Sequence, residues 1–227
     1  MEKNGISQQI KSARQNLGLT QAQLAEKCNL DIRTIQRIES GLVTPRYYTI
    51  NLINKVLATN INVAKDTAIS LCWKKNLLSS NYNIYLNEKL VGNLMDRTFS
   101  QSGDGEFKDR KYSFRTYGLL TQKTEIFDHE TSEIIGNIKY NAWMNKAQLT
   151  INHEILYWKY EDWMNTRWSI SNAEGVQVKF FGSLTKGNIE STIDDGILVL
   201  TGLFITNYYL KFVFIMVLLS FFLFSRI

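Results

Sequence analysis

The chain has 227 residues and a formal net charge of +5, and it contains only two histidines and two cysteines. Neither histidine lies in an HExxH pattern and neither cysteine has a histidine nearby, so we expect no zinc site and no disulfide between Cys28 and Cys72. No glycine-rich phosphate loop follows a strand pattern, and the adjacent Asp194 and Asp195 are typical of a helix start, so we expect no enzyme, no metal and no cofactor.

Residues 17 to 41 contain two helix starts separated by a tight turn. Thr20 is a favourable N-cap, and Gln23 three residues later completes a capping box. A helix is therefore expected to begin there and to continue to about Cys28. Asn29 follows, a residue type that tolerates the left-handed conformation with which many helices end.

A second helix is expected over Ile32–Glu39, because Asp31 can accept backbone N–H bonds at its start and Gly41 can end it. Apolar residues at helical spacing give the two helices inward stripes on which they pack crosswise: Leu24, Ala25, Cys28, Ile35 and Ile38. An upstream amphipathic helix adds a third wall through one apolar face: Ile6, Ile10, Ala13 and Leu17. The downstream segment Tyr47–Leu57 adds another.

The outward face of the second of these helices is free to contact DNA. Arg33 and Arg37 stand four residues apart and share that face. Arginine makes bidentate bonds to guanine in the major groove, glutamine reads adenine, and methyl groups contact thymine. The candidates for base contact are Ile32, Arg33, Thr34, Gln36 and Arg37. The alternative is that these side chains form an ordinary solvated helix face.

Charge is concentrated in the same part of the chain. Residues 1–60 hold eight Lys and Arg against four Asp and Glu, so +4 of the total charge of +5 lies there. Positive charge attracts the phosphate backbone, although it must lie in the right place to bind it. The excess therefore supports a DNA-binding role for this part of the chain without establishing one.

Three stretches carry a resemblance to a known family: LTQAQLAEK, IRTIQRIESG, and the loop with Pro45 that precedes an apolar helix. Over residues 5 to 60 the chain resembles helix-turn-helix domains of the Cro and phage-repressor type, the XRE family. The resemblance implies a five-helix bundle that binds double-stranded DNA. It also implies that Gln21 grips a phosphate, and that Arg14 and Glu39 form a partly buried structural ion pair. One copy buries limited surface on one half-site, so we expect a homodimer on an inverted repeat.

The pattern changes after this region. Residues 61–81 are expected to form a helical linker, and residues 82–195 contain short alternating runs that predict strands. Nine runs are clear: YNIYL, KYSFRTYGLL, KTEIFD, EIIGNIKY, AQLTI, EILYWKY, RWSI, VQVKFFG and NIESTI. Turn residues separate runs at 128–133, 172–175 and 186–188. Nine or ten strands without a helix between them predict a strongly bent antiparallel sheet or a barrel.

Four tryptophans fall in the strand-rich region: Trp143, Trp158, Trp163 and Trp168. We expect most of them to fill the core, because aromatic side chains are favoured in strands and are large enough to occupy a barrel. The alternative is a stacking platform for a ligand. The pattern does not separate the buried tryptophans from the exposed ones.

Residues 196–227 are expected to form an apolar helix, since residues 197–224 carry one charge, Lys211. This helix reaches about 42 Å, longer than the ~30 Å hydrocarbon core of a bilayer, so a membrane anchor is one explanation. The other is burial: strands followed by GNIESTIDDGILVLTGLFITNYY resemble the tubby-like fold, in which a barrel encloses such a helix. A barrel does not enclose 42 Å of helix, so its second half is expected to protrude, and both explanations permit membrane contact.

These expectations define an α+β multidomain protein: a helix-turn-helix domain at 1–60, a linker at 61–81, an antiparallel β-rich domain at 82–195 and an apolar helix at 196–227. The expected function is a sequence-specific transcriptional regulator whose β-rich part senses an effector, dimerises or tethers. The alternative is a membrane-associated scaffold whose helical bundle binds a protein partner. The expected location is the cytoplasm, with a tether to the inner membrane as one option.

Overall fold

The structure is a computed structural model that describes residues 3–43, 45, 47–59, 69–76, 81–97, 101–118, 122–173 and 175–224. The chain divides into two compact units, Met1–Thr67 and Ala68–Ile227. The first unit is helical and the second consists of strands and one long helix. Each unit is described by itself below.

The described residues of the first unit form four helices: α1 Lys3–Asn16, α2 Gln21–Lys27, α3 Ile32–Glu39 and α4 Tyr47–Leu57. The predicted capping box is confirmed, with both Thr20 and Gln23 making their reciprocal bonds at the start of α2. Asn29 has a positive φ of 52° and Gly41 one of 73°, as the predicted helix ends require. The five-helix count is not confirmed, because residues 60–68 lie outside the described residues.

The core of the first unit joins all four helices. Its fully buried side chains are Ile10, Leu24, Ala25, Cys28, Ile35, Ile38, Ile53 and Leu57. Burial raises the pKa of the Cys28 thiol to about 11, so this cysteine is an apolar core residue and not a nucleophile. The expectation for Leu17 was wrong: it lies beyond the end of α1 and is exposed, and Leu19 packs against the core instead.

The second unit is a closed barrel of twelve antiparallel strands, which confirms the predicted architecture. The strands are β1 Ile69–Lys75, β2 Asn81–Leu86, β3 Lys89–Asp96, β4 Gly103–Phe107, β5 Arg110–Tyr117, β6 Lys123–Asp128, β7 Glu133–Tyr140, β8 Lys146–Ile151, β9 Glu154–Tyr160, β10 Arg167–Ser171, β11 Gln177–Gly182 and β12 Lys186–Ser191. Consecutive strands pair throughout, and β1 pairs with β12 to close the barrel.

Three strands were not among the nine predicted runs: β1, β3 and β4. The helical linker expected at 61–81 was therefore wrong at residues 69–75, which form β1; residues 60–68 and 77–80 lie outside the described residues. The run ISLCWKK alternates buried and exposed residues, a period of two that its lysines obscured. The turn expected at 186–188 was also misplaced, because these residues begin β12 and the connection is 183–185.

The long helix α5, Gly196–Phe224, runs through the barrel. Every residue from 197 to 209 is buried, and the helix contacts strands on opposite sides, β3 and β4 on one and β10 and β11 on the other. The ring of Phe204 stacks on Phe114 of β5 with centroids 4.5 Å apart. Gly105 of β4 faces the helix, where an added Cβ would lie 3.1 Å from Leu200. The enclosed helix is consistent with the tubby-like resemblance.

A polar cluster marks the place where α5 leaves the barrel. Lys211 Nζ donates to Asp96 Oδ1 at 2.6 Å, and Lys75 Nζ donates to Asn207 Oδ1 at 2.7 Å. The side-chain amide of Asn207 donates to the other oxygen of Asp96. Burial raises the pKa of the Asp96 carboxyl, while the contacts with Lys211, Asn207 and Lys75 act in the opposite direction. The one charge of the apolar segment is thus matched inside the protein.

The second half of α5 differs from the first. Val213 to Val217 are exposed, as expected for a protruding end. Among the described helices, α5 alone is long and apolar enough to cross a membrane, over residues 196–217, and most of that window is buried in the barrel. Length and composition are therefore weak evidence for a membrane span.

The tryptophans divide evenly. Trp158 and Trp168 are buried in the barrel, as expected for most of the four, and Trp168 stacks on Phe180. Trp143 and Trp163 are almost fully exposed, with 85% and 90% of their surface accessible. The expectation of core packing thus holds for two of the four.

Candidate nucleic-acid interface

Helix α3 is held at its start and along its inner side. The Asp31 carboxylate accepts a hydrogen bond from the Arg33 backbone N–H at 2.7 Å, which confirms the predicted N-cap. Ile35 and Ile38, three residues apart, are buried in the core against α1 and α2. These contacts fix the rotation of α3 about its axis, so its remaining side is presented outward.

The outward side of α3 carries the predicted contact residues. Arg33, Gln36 and Arg37 are exposed, and neither guanidinium group forms an ion pair within the described part of the chain. Thr34 is half-buried, and Ile32 leaves 41% of its surface accessible at the start of the helix. The structure thus brings all five candidates onto one short helix, four of them exposed. Two exposed guanidinium groups and an amide can donate to base edges or phosphates.

An ion pair joins the first helix to the end of the third. Arg14 binds Glu39 in a bidentate manner, with Nε to Oε1 at 2.6 Å and the second nitrogen to Oε2 at 2.8 Å. Arg14 also donates to the carbonyl of Leu19 at 2.6 Å. Burial acts to raise the pKa of Glu39, but the bonds from Arg14 and Gln21 outweigh it and hold that pKa below its usual value. The pair therefore stays ionised and fixes the C-terminal end of α3.

Gln21 takes part in the same network. Its side-chain amide donates to Glu39 Oε2 at 2.9 Å, and the residue is half-buried at the start of α2. An amide nitrogen carries two hydrogens, so one remains to be offered to a phosphate. The phosphate contact of Gln21 stays a prediction, and the observed bond adds a positional role for its side chain.

The comparisons with known proteins bear on this unit. Residues 10–63 match the family model of the helix-turn-helix. The N-terminal unit thus carries a helix-turn-helix of the Cro and phage-repressor type. The match spans 54 of the 227 residues, about a quarter of the chain, and does not extend into the barrel. No match to the chain was found among curated proteins or among solved structures.

The barrel wall holds one cluster with the residue types of a hydrolase. Ser113 Oγ donates to Asp104 Oδ1 at 2.7 Å and lies 2.8 Å from His129 Nε2. In a Ser-His-Asp triad the histidine lies between the other two and takes the serine proton. Here the serine lies between the other two side chains, an order that differs from that of the triad. Within the described residues no group of three or more His, Cys, Asp or Glu side chains is arranged to hold a metal.

Two exposed tryptophans were not predicted to be exposed from the sequence. Trp143 and Trp163 were counted as candidates for the core, yet both stand in connections between strands. The signal was present in the chain, because the tripeptide Trp-Met-Asn occurs twice, at 143–145 and 163–165. Both copies interrupt the alternation of the neighbouring strands, which is typical of a loop.

Proposed function

We propose that this protein is a sequence-specific DNA-binding transcriptional regulator that acts in the cytoplasm. Helix α3 enters the major groove, and Arg33, Gln36 and Arg37 contact base edges. Ile32 and Thr34 lie against thymine methyl groups, and Gln21 contacts a phosphate at the start of α2. The observation that carries the proposal is the pair of exposed arginine side chains on the outward face of a helix within a helix-turn-helix.

The contacts that hold α3 in place support sequence-specific rather than general DNA binding. Base readout requires side chains that keep their position relative to the groove, since bidentate bonds are directional. The N-cap at Asp31, the buried Ile35 and Ile38, and the Arg14–Glu39 pair hold the helix at its start, its middle and its end. A homodimer on an inverted repeat follows from the small surface that one copy offers.

The barrel is proposed to tether rather than to bind a ligand in its interior. Small-molecule sites in barrels use the lumen or its mouth. In this barrel α5 occupies the lumen, and its residues 197–209 are all buried. An effector enclosed by the barrel would have to displace that helix, which makes tethering the better supported of the roles considered for this unit.

The test is selection of bound duplexes from a random pool with the full-length chain kept in mild detergent. We expect one inverted-repeat sequence to be enriched. The double variant Arg33→Ala with Arg37→Ala should weaken binding to that sequence by about 30-fold or more, since a bidentate base contact contributes ~1–3 kcal/mol. Binding is measured by fluorescence anisotropy at two salt concentrations.

The matched control is Lys11→Ala with Lys27→Ala, which removes the same charge from exposed positions on α1 and α2. This control should lower affinity for all duplexes alike and leave the preferred sequence unchanged. The proposal is abandoned if no sequence is enriched, or if the arginine variant and the lysine control behave identically. A protein that is then captured by the exposed face of α3 would support the scaffold function instead.

A further inference from the structure

The end of the barrel from which α5 emerges can be placed by its contacts. Tyr209 donates to the carbonyl of Lys146, the first residue of β8, at 2.5 Å. Lys211 contacts Asp96, the last residue of β3, and the carbonyl of Arg97. We call this end the exit rim, meaning the connections between strands there together with the strand residues that adjoin them. The loops 141–145, 161–166 and 183–185 belong to it.

Over residues 213–217, beyond the exit rim, the helix is uncovered on every side. Val213, Phe214, Ile215, Met216 and Val217 have between 45% and 64% of their surface exposed. Successive residues of an α-helix are rotated by about 100°, so five consecutive residues cover more than a full turn. A partner helix, or a second copy of this chain, would cover one stripe of such a surface. A fluid hydrocarbon phase covers all of it.

The loops of the exit rim carry exposed tryptophans. Trp143 lies in loop 141–145 and Trp163 in loop 161–166, and Leu184 in loop 183–185 is also exposed. The connections at the opposite end of the barrel are mostly polar and contain no Trp, Tyr, Phe or Met within the described part of the chain. Tryptophan is enriched at the boundary between hydrocarbon and water, where its ring is apolar and its N–H still finds a partner.

The two ends of the barrel also differ in charge. Counted over the described connections and adjoining strand residues, the exit rim has six basic and three acidic residues: Lys75, Arg97, Lys123, Lys146, Arg167 and Lys186 against Asp96, Glu161 and Asp162. The opposite end has three basic and eight acidic residues: Lys89, Lys108 and Arg110 against Glu88, Asp109, Asp128, Glu130, Glu133, Glu154, Asp194 and Asp195. The cytoplasmic face of a membrane is negatively charged and attracts the more basic end.

The length of the exposed helix determines how close the barrel must lie to the membrane if the helix is to insert. Between Lys211 and Arg226 lie 14 residues without a charge, which reach about 21 Å as a helix and fall short of the ~30 Å hydrocarbon core. An apolar segment this short reaches hydrocarbon only if the exit rim is drawn down to the membrane surface. Insertion of the helix and contact of the loops are therefore one event.

We propose that the exit rim is a membrane-docking surface: the apolar end of α5 inserts into an anionic bilayer, and the indole rings of Trp143 and Trp163 lie at headgroup level. The docking does not depend on DNA binding, and its test contains no DNA. It gives the protein a defined orientation, with the acidic end of the barrel directed away from the membrane.

The test uses the full-length chain, purified in mild detergent and mixed with vesicles as the detergent is removed. We expect the chain to float with the vesicles. Replacing part of the phosphatidylcholine by phosphatidylserine should raise the bound fraction about threefold or more at low salt. Lipids brominated near the headgroup should quench tryptophan emission, and this quenching should fall to background in the variant Trp143→Ser with Trp163→Ser. The three remaining tryptophans, Trp73, Trp158 and Trp168, are buried in the barrel.

The matched control is Ile134→Ser with Ile155→Ser, which removes exposed apolar side chains from the barrel wall away from the exit rim. It should float and be quenched like the parent chain. If the chain does not float and two copies cross-link through residues 213–217, the proposal is wrong, and a second copy of the chain covers this part of the helix. Flotation without quenching of Trp143 and Trp163 would overturn the docking of the rim, as would equal losses in variant and control.

Discussion

At the scale of single residues, one buried carboxylate links the C-terminal end of α3 to two other helices. Glu39 accepts bonds from Arg14 and Gln21, which come from two different helices. This network therefore holds the end of α3 in a fixed position relative to both α1 and α2. Ile35 and Ile38 fix which side of the helix faces inward, but an apolar contact tolerates small rotations that a bidentate bond does not.

Glu39→Gln should destabilise the helical unit by about 3 kcal/mol, because it leaves the Arg14 charge buried without a counter-charge. In the parent chain the folded pKa of Glu39 lies below 4.5. Its stabilising contribution is therefore complete above that value and is lost as the pH falls through the lowered pKa. This acid dependence should be absent from the variant. Hydrogen exchange of the α1 and α3 amides, corrected for intrinsic rates, measures both effects.

The control for this substitution is Glu26→Gln, the same chemical change at an exposed position on α2. It should leave exchange in α1 and α3 unchanged. Replacing both partners, Arg14→Leu with Glu39→Leu, should recover much of the lost stability, because no charge then stays buried alone. Protection of α3 that is the same in parent and Glu39→Gln would show that the pair does not hold the helix.

At the scale of elements, local signals and distant contacts differ in what they reveal. The bounds of α3 follow from the chain itself, because Asp31 and Gly41 act within a few residues of the helix they end. Strand β4 could not be predicted in that way. Its sequence GDGEF has two glycines, a residue type depleted in strands, and Gly105 is accommodated because Leu200 approaches it from a helix almost a hundred positions later in the chain.

The exposed face of α3 and the exit rim differ for the same reason. The separation of Arg33 and Arg37 from Ile35 and Ile38 follows from helical periodicity, and the structure has them on different sides. The exposure of Trp143 and Trp163 depends on where strands end, and strand ends are set by pairing with neighbours. The even split of the tryptophans could therefore not be derived from composition.

A second prediction concerns the fit of α5 in the barrel. Gly202→Val should lower the stability of the barrel by about 3 kcal/mol, at the upper end of the cost of overpacking a core. A Cβ at this position would overlap the ring of Phe180, which is fully buried and stacked on Trp168 with centroids 5.5 Å apart. The ring therefore has little room to move. The midpoint of thermal unfolding, followed by tryptophan emission, reports the change.

Ser220→Val on the exposed half of the same helix serves as the control, since it adds a similar side chain outside the barrel. It should leave the unfolding midpoint unchanged. If Gly202→Val unfolds at the temperature of the parent chain, the helix does not pack as closely against β11 as the structure has it.

At the scale of the whole molecule, one helix has two roles that divide along its length. Residues 197–209 belong to the interior of the barrel, and residues 213–217 are exposed. The polar cluster around Asp96 and Lys211 lies between the two parts. The interior half supplies seven buried Ile, Leu, Val and Phe side chains: Ile197, Leu198, Val199, Leu200, Leu203, Phe204 and Ile205. Burial of each such side chain stabilises the fold by ~1.5–3 kcal/mol, so the seven together contribute about 10–20 kcal/mol before the entropy cost of ordering the chain, against a net stability of ~5–15 kcal/mol for a typical domain.

Two truncations should therefore have opposite outcomes. Removal of residues 213–227 should leave the barrel folded, because Val213 to Val217 make little contact with it, and should release the chain from membranes into the soluble fraction. Removal of residues 197–227 should abolish the barrel, because the inward-facing side chains of the strands then lose the helix against which they pack. Circular dichroism in the far ultraviolet and the emission of Trp158 and Trp168 distinguish a folded barrel from a collapsed one.

Adding residues 195–212 back as a separate peptide should restore both signals to the chain that lacks residues 197–227. A barrel that keeps its strands without any helix would mean that α5 lines the lumen without stabilising it, and the division of the helix into a core half and an exposed half would then be wrong.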